Sequence, residues 1–238
     1  MAEFYKVSAS KEMIRDSGSN SYIRDSGMYD VVIHNIMVNK SANGAVSLDL
    51  YFNYDGTDQV IYNAIRLTNN DGKANFQNNI FNKMLLCFGA KEGDVISEPV
   101  EAVLPIGRDK AEKRVLIVPD IEDEPVILRI KVEYDSYEGK ITEHKSVRNV
   151  FRSSDKASAS EIVNKARGTD VGKQYLLECQ DKTLNEPQYK HGVTKEDVEA
   201  YRKRFTGSSI DTASDEPKAK TFSSKSKGSE EQMDDLPF

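Results

Sequence analysis

Apolar and polar residues alternate most strictly between Ala45 and Tyr54, with Val46, Leu48, Leu50 and Phe52 on one side and Ser47, Asp49, Tyr51 and Asn53 on the other. A period of two predicts a strand buried on one face. The preceding run, Met28 to Lys40, alternates through Tyr29, Val31 and Ile33 and loses its period at Ile36-Met37-Val38, which predicts a bulge there. Ser41-Ala42-Asn43-Gly44 and Asp55-Gly56 supply the turns. A third run places Ile61, Ile65 and Leu67 inward and Tyr62, Ala64 and Arg66 outward, completing an antiparallel meander. The period then changes. Phe76, Ile80, Met84 and Phe88, flanked by Phe81 and Leu85, recur at helical spacing up to the stop signal Gly89. Short apolar runs at Val100 to Ile106 and Val115 to Val118 predict a small hairpin or lid. Val126 to Asp135 and Lys140 to Arg152 predict a long hairpin. Val126, Leu128, Ile130, Val132 and Tyr134 face one way, and Arg129, Lys131 and Glu133 form a largely basic opposite face.

Three strands, a helix and two strands is the order of an OB-fold, a five-stranded antiparallel barrel that receives single strands on its second and third strands and its two hairpin loops. Those loops fall at 41–44 and 135–140. The chain thus divides into an N-terminal arm (1–26), a mainly β OB-fold-like domain with an inserted helix (27–153), a small helical appendage (154–205), a disordered linker (206–233) and an acidic tip (234–238). In the appendage, Ser158-Ala159-Ser160-Glu161 is a capping box opening a helix that Gly168 closes. A second helix spans Gly172 to Lys182, and Thr194 opens a third running to Phe205. Tyr175, Leu176, Leu177, Val198, Tyr201 and Phe205 supply apolar sides that pack on the body or on a second copy of the chain, so a homo-oligomer is one assembly the sequence allows.

Composition bounds the functional classes. Of 238 residues, 33 are Lys or Arg and 39 Asp or Glu, a net charge of −6. Residues 206–238 hold 4 Lys against 7 Asp/Glu, leaving 29 Lys/Arg against 32 Asp/Glu in the body, so half the excess sits in the tail. Residues 126–153 carry 6 Lys/Arg and 4 Asp/Glu, which permits a basic groove on an acidic protein. Cys87 and Cys179 cannot form a disulfide framework, and Cys87 lies in the apolar run Met84 to Phe88 as a reduced core thiol, the pattern of a cytoplasmic protein. No run approaches the 18 or so apolar residues that span a bilayer, so no membrane partner is expected.

Asp234-Asp235-Leu236-Pro237-Phe238 joins two carboxylates to an apolar, proline-bent hook suited to a pocket that is greasy inside and basic at its rim. The Ser/Gly-rich stretch before it is a tether with a span of roughly 30 Å. This tip resembles the acidic tail of bacterial single-stranded DNA-binding proteins and their phage counterparts, with Leu236 where isoleucine is more usual. From Gly27 to Gly89 the chain also resembles phage-encoded OB-type single-stranded DNA-binding proteins. The resemblance rests on Gly27-Met28-Tyr29, Lys40-Ser41-Ala42-Asn43-Gly44, the Leu48 to Phe52 alternation, Asn70-Asp71-Gly72 and the Phe81 to Gly89 helix end. It implies coating of single-stranded DNA in replication, recombination or repair, in the host cytoplasm. It also implies recruitment of DNA polymerase, helicase, primase or recombination proteins through the tip.

Single-strand binding needs flat π-faces and cations without a base-reading code. Tyr51, Tyr62 and Arg66 share the outward face of the second and third strands, Arg129 and Lys131 share one on the long hairpin, and Tyr137, Lys140, Lys145, Arg148 and Arg152 extend it. Tyr51 and Tyr62 read equally as a cross-strand aromatic pair. No catalytic residue, metal or cofactor is expected. Gly168-Thr169-Asp170-Val171-Gly172-Lys173-Gln174 has its glycines one residue too close for a phosphate loop and Gln174 where a hydroxyl is needed. Pro119-Asp120 with Glu138-Gly139-Lys140 loosely matches a metal-dependent nuclease, but Glu138-Gly139 falls in a turn. An adaptor or decoy that occupies docking pockets through the tip without binding DNA is the other reading the sequence admits.

Overall fold

The computed structural model describes residues 22–106 and 110–206. Residues 207–233 of the linker and the tip, Asp234 to Phe238, lie outside them, as does most of the N-terminal arm. The described chain is mainly β, an open antiparallel sheet with few helices. Strand β1 (Gly27–Lys40) is shared. Its first half, Gly27 to Ile33, pairs with β6 (Glu124–Tyr137), and its second half, Val32 to Lys40, pairs with β2 (Val46–Tyr54). Strand β3 (Thr57–Arg66) continues from β2, and β7 (Lys140–Arg152) continues from β6. The spatial order is therefore β3-β2-β1-β6-β7. Strands β3 and β7 come into contact, but no ladder joins them.

The core forms where the inward positions converge. Leu48, Leu50, Phe52, Val126, Leu128, Ile130, Val132 and Tyr134 are fully buried, as the alternation predicts. Helix α1 (Asn78–Cys87) covers one opening with Ile80, Met84 and Cys87, and burial pushes the Cys87 thiol up to about 12. Phe76 stands ahead of the helix and is exposed, so it does not belong to the predicted apolar stripe. The Asp55-Gly56 and Glu138-Gly139 turns have positive φ at both positions, the two-residue geometry that matches strand twist.

Two bulges depart from simple alternation. The one in β1 falls at His34, between the pairs Ile33–Phe52 and Asn35–Tyr51, earlier than the blurred period suggested. The other lies in β3. Leu48 faces Ile65 while Leu50 faces Ile61, so β3 carries extra residues around Asn63, which sits at φ 51°. The Asn63 N–H donates to Asp49 Oδ1 at 2.6 Å, and this is why Asp49, on the nominally outward side, is buried. It also turns Ala64 inward, against the expectation that Ala64 shares a face with Tyr62 and Arg66.

The predicted small hairpin is β4 (Val100–Ile106) with β5 (Ala111–Ile117), attached to β1 through Met37 and Ile117 on the edge opposite β2. The appendage comprises α2 (Ala159–Val163), α3 (Lys173–Gln180), α4 (Lys182–Asn185), β8 (Gln188–Tyr189) and α5 (Lys195–Thr206). Strand β8 adds in parallel to β6 at Glu133 and Tyr134, beyond the point where β1 ends. Helix α5 packs through Val198 and Tyr201, and Tyr175 of α3 packs edge-on to Phe151. Leu176 and Leu177, predicted to pack, are exposed. Among the described residues no helix is long and apolar enough to cross a membrane.

The capping box forms as predicted, with Glu161 accepting from the Ser158 N–H and Ser158 Oγ from the Glu161 N–H. The Glu161 carboxylate also accepts from the N–H groups of Gly172 and Gln174. The donors of the phosphate-loop-like stretch are thus taken by a side chain of the same chain. Burial alone would raise the Glu161 carboxyl, but the donors at Ser158, Gln174 and Gly172 outweigh it and hold it below its usual value. A depressed folded value stabilises the protein above the unfolded carboxyl's pKa of about 4.3 and is lost as pH falls through the folded value. Glu161→Gln is therefore expected to destabilise the protein at pH 7 by roughly 1–2 kcal/mol and by less near pH 3. Urea denaturation at both pH values checks this, and an equal loss at both would contradict it.

Candidate functional site

The β2–β3 turn and the outer face of β2 and β3 border an open groove of about 530 Å³. Tyr51, Val60 and Tyr62 line its floor, Asp58 and Thr57 one end, Pro105 and Lys110 of the β4–β5 hairpin one margin, and Tyr22 and Lys145 another. Tyr51 pairs across the sheet with Val60, two residues before Tyr62, so the two tyrosines are successive on one face and not directly opposed. Tyr62 is 57% exposed. Tyr51 is half-buried, its ring centroid 5.2 Å from that of His34.

One carboxylate lies inside this groove. Asp58 accepts from Asn53 Nδ2 at 2.7 Å, lies 3.3 Å from His34 Nε2 and 3.8 Å from Lys110 Nζ, and is met by the Tyr51 hydroxyl at 3.5 Å. The Asn53 amide foremost, with His34 and Lys110, holds its carboxyl below the usual range, against an opposing effect of burial. Burial, then the Asp58 charge, raises the Tyr51 phenol, which stays protonated at neutral pH. His34 Nδ1 is also 2.5 Å from Asp123 Oδ1, so the imidazole bridges two carboxylates.

The groove continues. Tyr22 and Lys145 also line a smaller depression of about 150 Å³ with Arg24, Glu143, Tyr201 and Arg202. Tyr201 in turn lines a third depression, about 740 Å³, with Lys140, Ile141, His191, Val193 and Ala200. At the junction Arg202 is locked. Its guanidinium donates to the Arg24 carbonyl, to Asp25 and to the Tyr134 hydroxyl, and sits 5.5 Å above the Tyr134 ring.

The structure divides the predicted residues. Tyr51, Tyr62 and Lys145 meet at the first groove, and Lys140 lines the third depression. Tyr137 is exposed beside Lys140 at the β6–β7 tip. Arg66 is exposed at the end of β3, beyond the Asn63 bulge, with Nη2 3.5 Å from Asn70 Oδ1.

The expected basic face of the long hairpin is not open. Arg129 is 2% exposed and Lys131 half-buried, because α3 and α4 lie over them. Arg129 Nη1 donates to Asn185 Oδ1 at 2.9 Å, and Lys131 Nζ donates to the carbonyls of Thr183 at 3.1 Å and Glu186 at 2.5 Å. Nor do Lys145, Arg148 and Arg152 form one row. Arg148 is the extra residue of a bulge opposite Arg129 and Ile130, whereas Lys145 and Arg152 stand opposite the buried Val132 and Val126. Arg148 pairs with Glu133 and Arg152 with Asp155, whose hydrogen bonds raise the Arg152 guanidinium and lower the Asp155 carboxyl.

Sequence reasoning missed Lys110, Tyr22 and Arg24, and read Tyr201 only as packing. A positive residue at the end of a predicted lid was the available signal for Lys110; none marked the others. Asp120, the carboxylate of the nuclease-like pattern, accepts from both the N–H and the hydroxyl of Ser97. Among the described residues no group of three His, Cys, Asp or Glu could hold a metal ion. Comparison with known protein families and with curated proteins finds no match.

Burial draws the Arg129 guanidinium down from its usual value, and Glu178 and Asp181 oppose this. Its Nη2 is buried without a hydrogen-bond partner. Replacing such a charge by an apolar side chain of similar volume is neutral or stabilising. Arg129→Met is therefore expected to leave the urea midpoint unchanged or raise it, by up to about 1–3 kcal/mol in stability. A fall of that size would show that the guanidinium is better satisfied than its geometry indicates.

Proposed function

We propose that the chain is a single-stranded DNA-binding protein of the phage type. Its sheet serves as an OB-like barrel that coats unpaired strands, and its 234–238 segment recruits DNA-processing proteins. The carrying observation is the β2–β3 groove, where the exposed Tyr62 and the half-buried Tyr51 lie between Lys110 and Lys145. Aromatic faces flanked by cations bind unpaired bases without reading them, because every base has a π-face and every nucleotide a phosphate. The strand order β3-β2-β1-β6-β7, with β3 against β7 and α1 between β3 and the long hairpin, supports the barrel reading. The bound strand runs across β2 and β3, the surface OB-folds use. The chain acts without catalysis.

Labelled oligo-dT, titrated with and without Mg²⁺, tests this reading. Retardation of the intact oligonucleotide is expected. No retardation would leave only an adaptor acting through its tip, and a shortened oligonucleotide with Mg²⁺ would mark a nuclease. Tyr62→Ala is expected to weaken binding roughly 5- to 150-fold, the range for losing one stacked base, with Tyr62→Phe close to the unaltered protein. Tyr62 is exposed, so folding is unaffected, and an unchanged affinity would remove the groove from the binding surface.

The acidic tail competes for the same cations. Deleting residues 230–238 removes four Asp/Glu side chains and is expected to tighten DNA binding at low salt, the gain shrinking as salt screens it. Identical affinities for the full and shortened chains at low salt would discard the competition.

A further inference from the structure

The three depressions share lining residues, Tyr22 and Lys145 between the first and second and Tyr201 between the second and third, so they form one track. We infer that this track is a single composite binding surface for a polyanionic single strand, its far end supplied in part by the appendage: the strand leaves the β2–β3 groove over Lys145, crosses Tyr201 and ends at Lys140 on the β6–β7 tip. The inference rests on the reading of the groove given above and extends it to residues outside the barrel.

Charge and chemistry along the track favour a nucleic-acid strand. Lys110 and Lys145 border its first part, the Arg24–Arg202 cluster its middle and Lys140 its end. The carboxylates along it are each engaged, three of them by the track's own cations Lys110, Lys145 and Arg202, so a phosphate would exchange with these pairs. Asp58 is held by Asn53 and His34, and Glu143 accepts from the Tyr134 hydroxyl at 2.8 Å and pairs with Lys145 at 2.9 Å. Asp25 pairs with Arg202, and Asp135 with His191. Asp197 is spent on the start of α5, accepting from the Thr194 N–H and hydroxyl. The elements along the track are also fastened to one another. Tyr134 stacks on Tyr189 of β8, meets Tyr201 edge-on and carries the Arg202 guanidinium, which locks α5 and β8 to the end of β6. This arrangement gives the appendage a role beyond packing. It lengthens the surface that one barrel can offer and turns the strand from the sheet face toward the hairpin tip.

Binding of oligo-dT of increasing length, from about 4 to about 16 nucleotides, tests the inference, because this range spans the site sizes of single OB-folds. Lys140 is exposed, so Lys140→Glu leaves the fold intact. It is expected to match the unaltered protein on the shortest oligonucleotides and to bind the longest roughly tenfold more weakly, with a shallower salt dependence on those alone. Lys140→Arg should restore the length dependence. Lys110→Glu, at the start of the track, should weaken binding at every length. If Lys140→Glu behaves like the unaltered protein at every length while Lys110→Glu does not, the track ends at Lys145 and the composite surface is wrong, though the groove reading stands. If no oligonucleotide binds even the unaltered protein, both fall.

Discussion

Strand β1 is claimed by two partners along two different halves, β6 from Gly27 to Ile33 and β2 from Val32 to Lys40, with the His34 bulge at the changeover. A regular strand keeps its two edges in one plane. One that passes from one partner to another must bend, and an extra residue bends it because it breaks the ladder and increases local twist. That bend turns the meander toward the long hairpin, where β3 contacts β7 without a ladder, and Leu48, Leu50, Phe52, Leu128 and Ile130 lie in the core between them. The extra residue is put to use, since His34 lands beside Tyr51 and between Asp58 and Asp123. Core closure and groove chemistry therefore depend on the same irregularity.

The outer face of β6 shows the opposite arrangement. Arg129 and Lys131 carry the charge a nucleic-acid surface requires, yet the carbonyls of Thr183 and Glu186 and the amide of Asn185 occupy them. Burying cations under backbone carbonyls is costly unless hydrogen bonds replace the lost water; here Lys131 makes two such bonds and the Arg129 guanidinium one. The price of fastening the appendage is an unpartnered Nη2 on Arg129. In exchange α5 and β8 are held beside the end of the hairpin, where Tyr201 and Lys140 line a continuous depression. One face of the hairpin is spent as an anchor so that its tip stays open.

How far the chain could be read depended on the range of the forces involved. The β2 alternation, the Asp55-Gly56 turn and the Ser158–Glu161 capping box are local, and each stands where the residues predict. The meander, the helix to Gly89 and the long hairpin follow for the same reason. Arg129 shows where this kind of reading stops. Alternation places it correctly on the opposite side from Leu128 and Ile130, but whether that side meets water is decided by Asn185, 56 residues away. The Asn63 bulge is a similar case, because its cause is a single hydrogen bond to Asp49 on the neighbouring strand, and nothing in the order of residues 60–66 announces it. Lys110 reaches the groove only because the β4–β5 hairpin extends from the far edge of β1 and brings its end to Asp58.

The proposed binding of a polyanion by an acidic protein poses an electrostatic problem, on which the way each carboxylate is held bears. A free Asp58 beneath the tyrosines would repel phosphate. Held ionised by Asn53 Nδ2 and His34 Nε2, it also orients the groove: it accepts the Tyr51 hydroxyl and lies 3.8 Å from Lys110. Such local pairing is short-ranged, whereas the excess of acidic residues across the chain acts over about one Debye length, roughly 10 Å at 0.1 M salt. On the proposed function a strand approaching from bulk would meet a weakly repulsive body, and within the groove Lys110 and Lys145 would have to be drawn from Asp58 and Glu143. With so few unengaged cations, the proposed binding would draw most of its attraction from the faces of Tyr51 and Tyr62, which act without charge. The expected balance is a surface that holds unpaired bases by stacking and discriminates against duplex, whose bases have no faces to offer and whose phosphates find too few cations in reach.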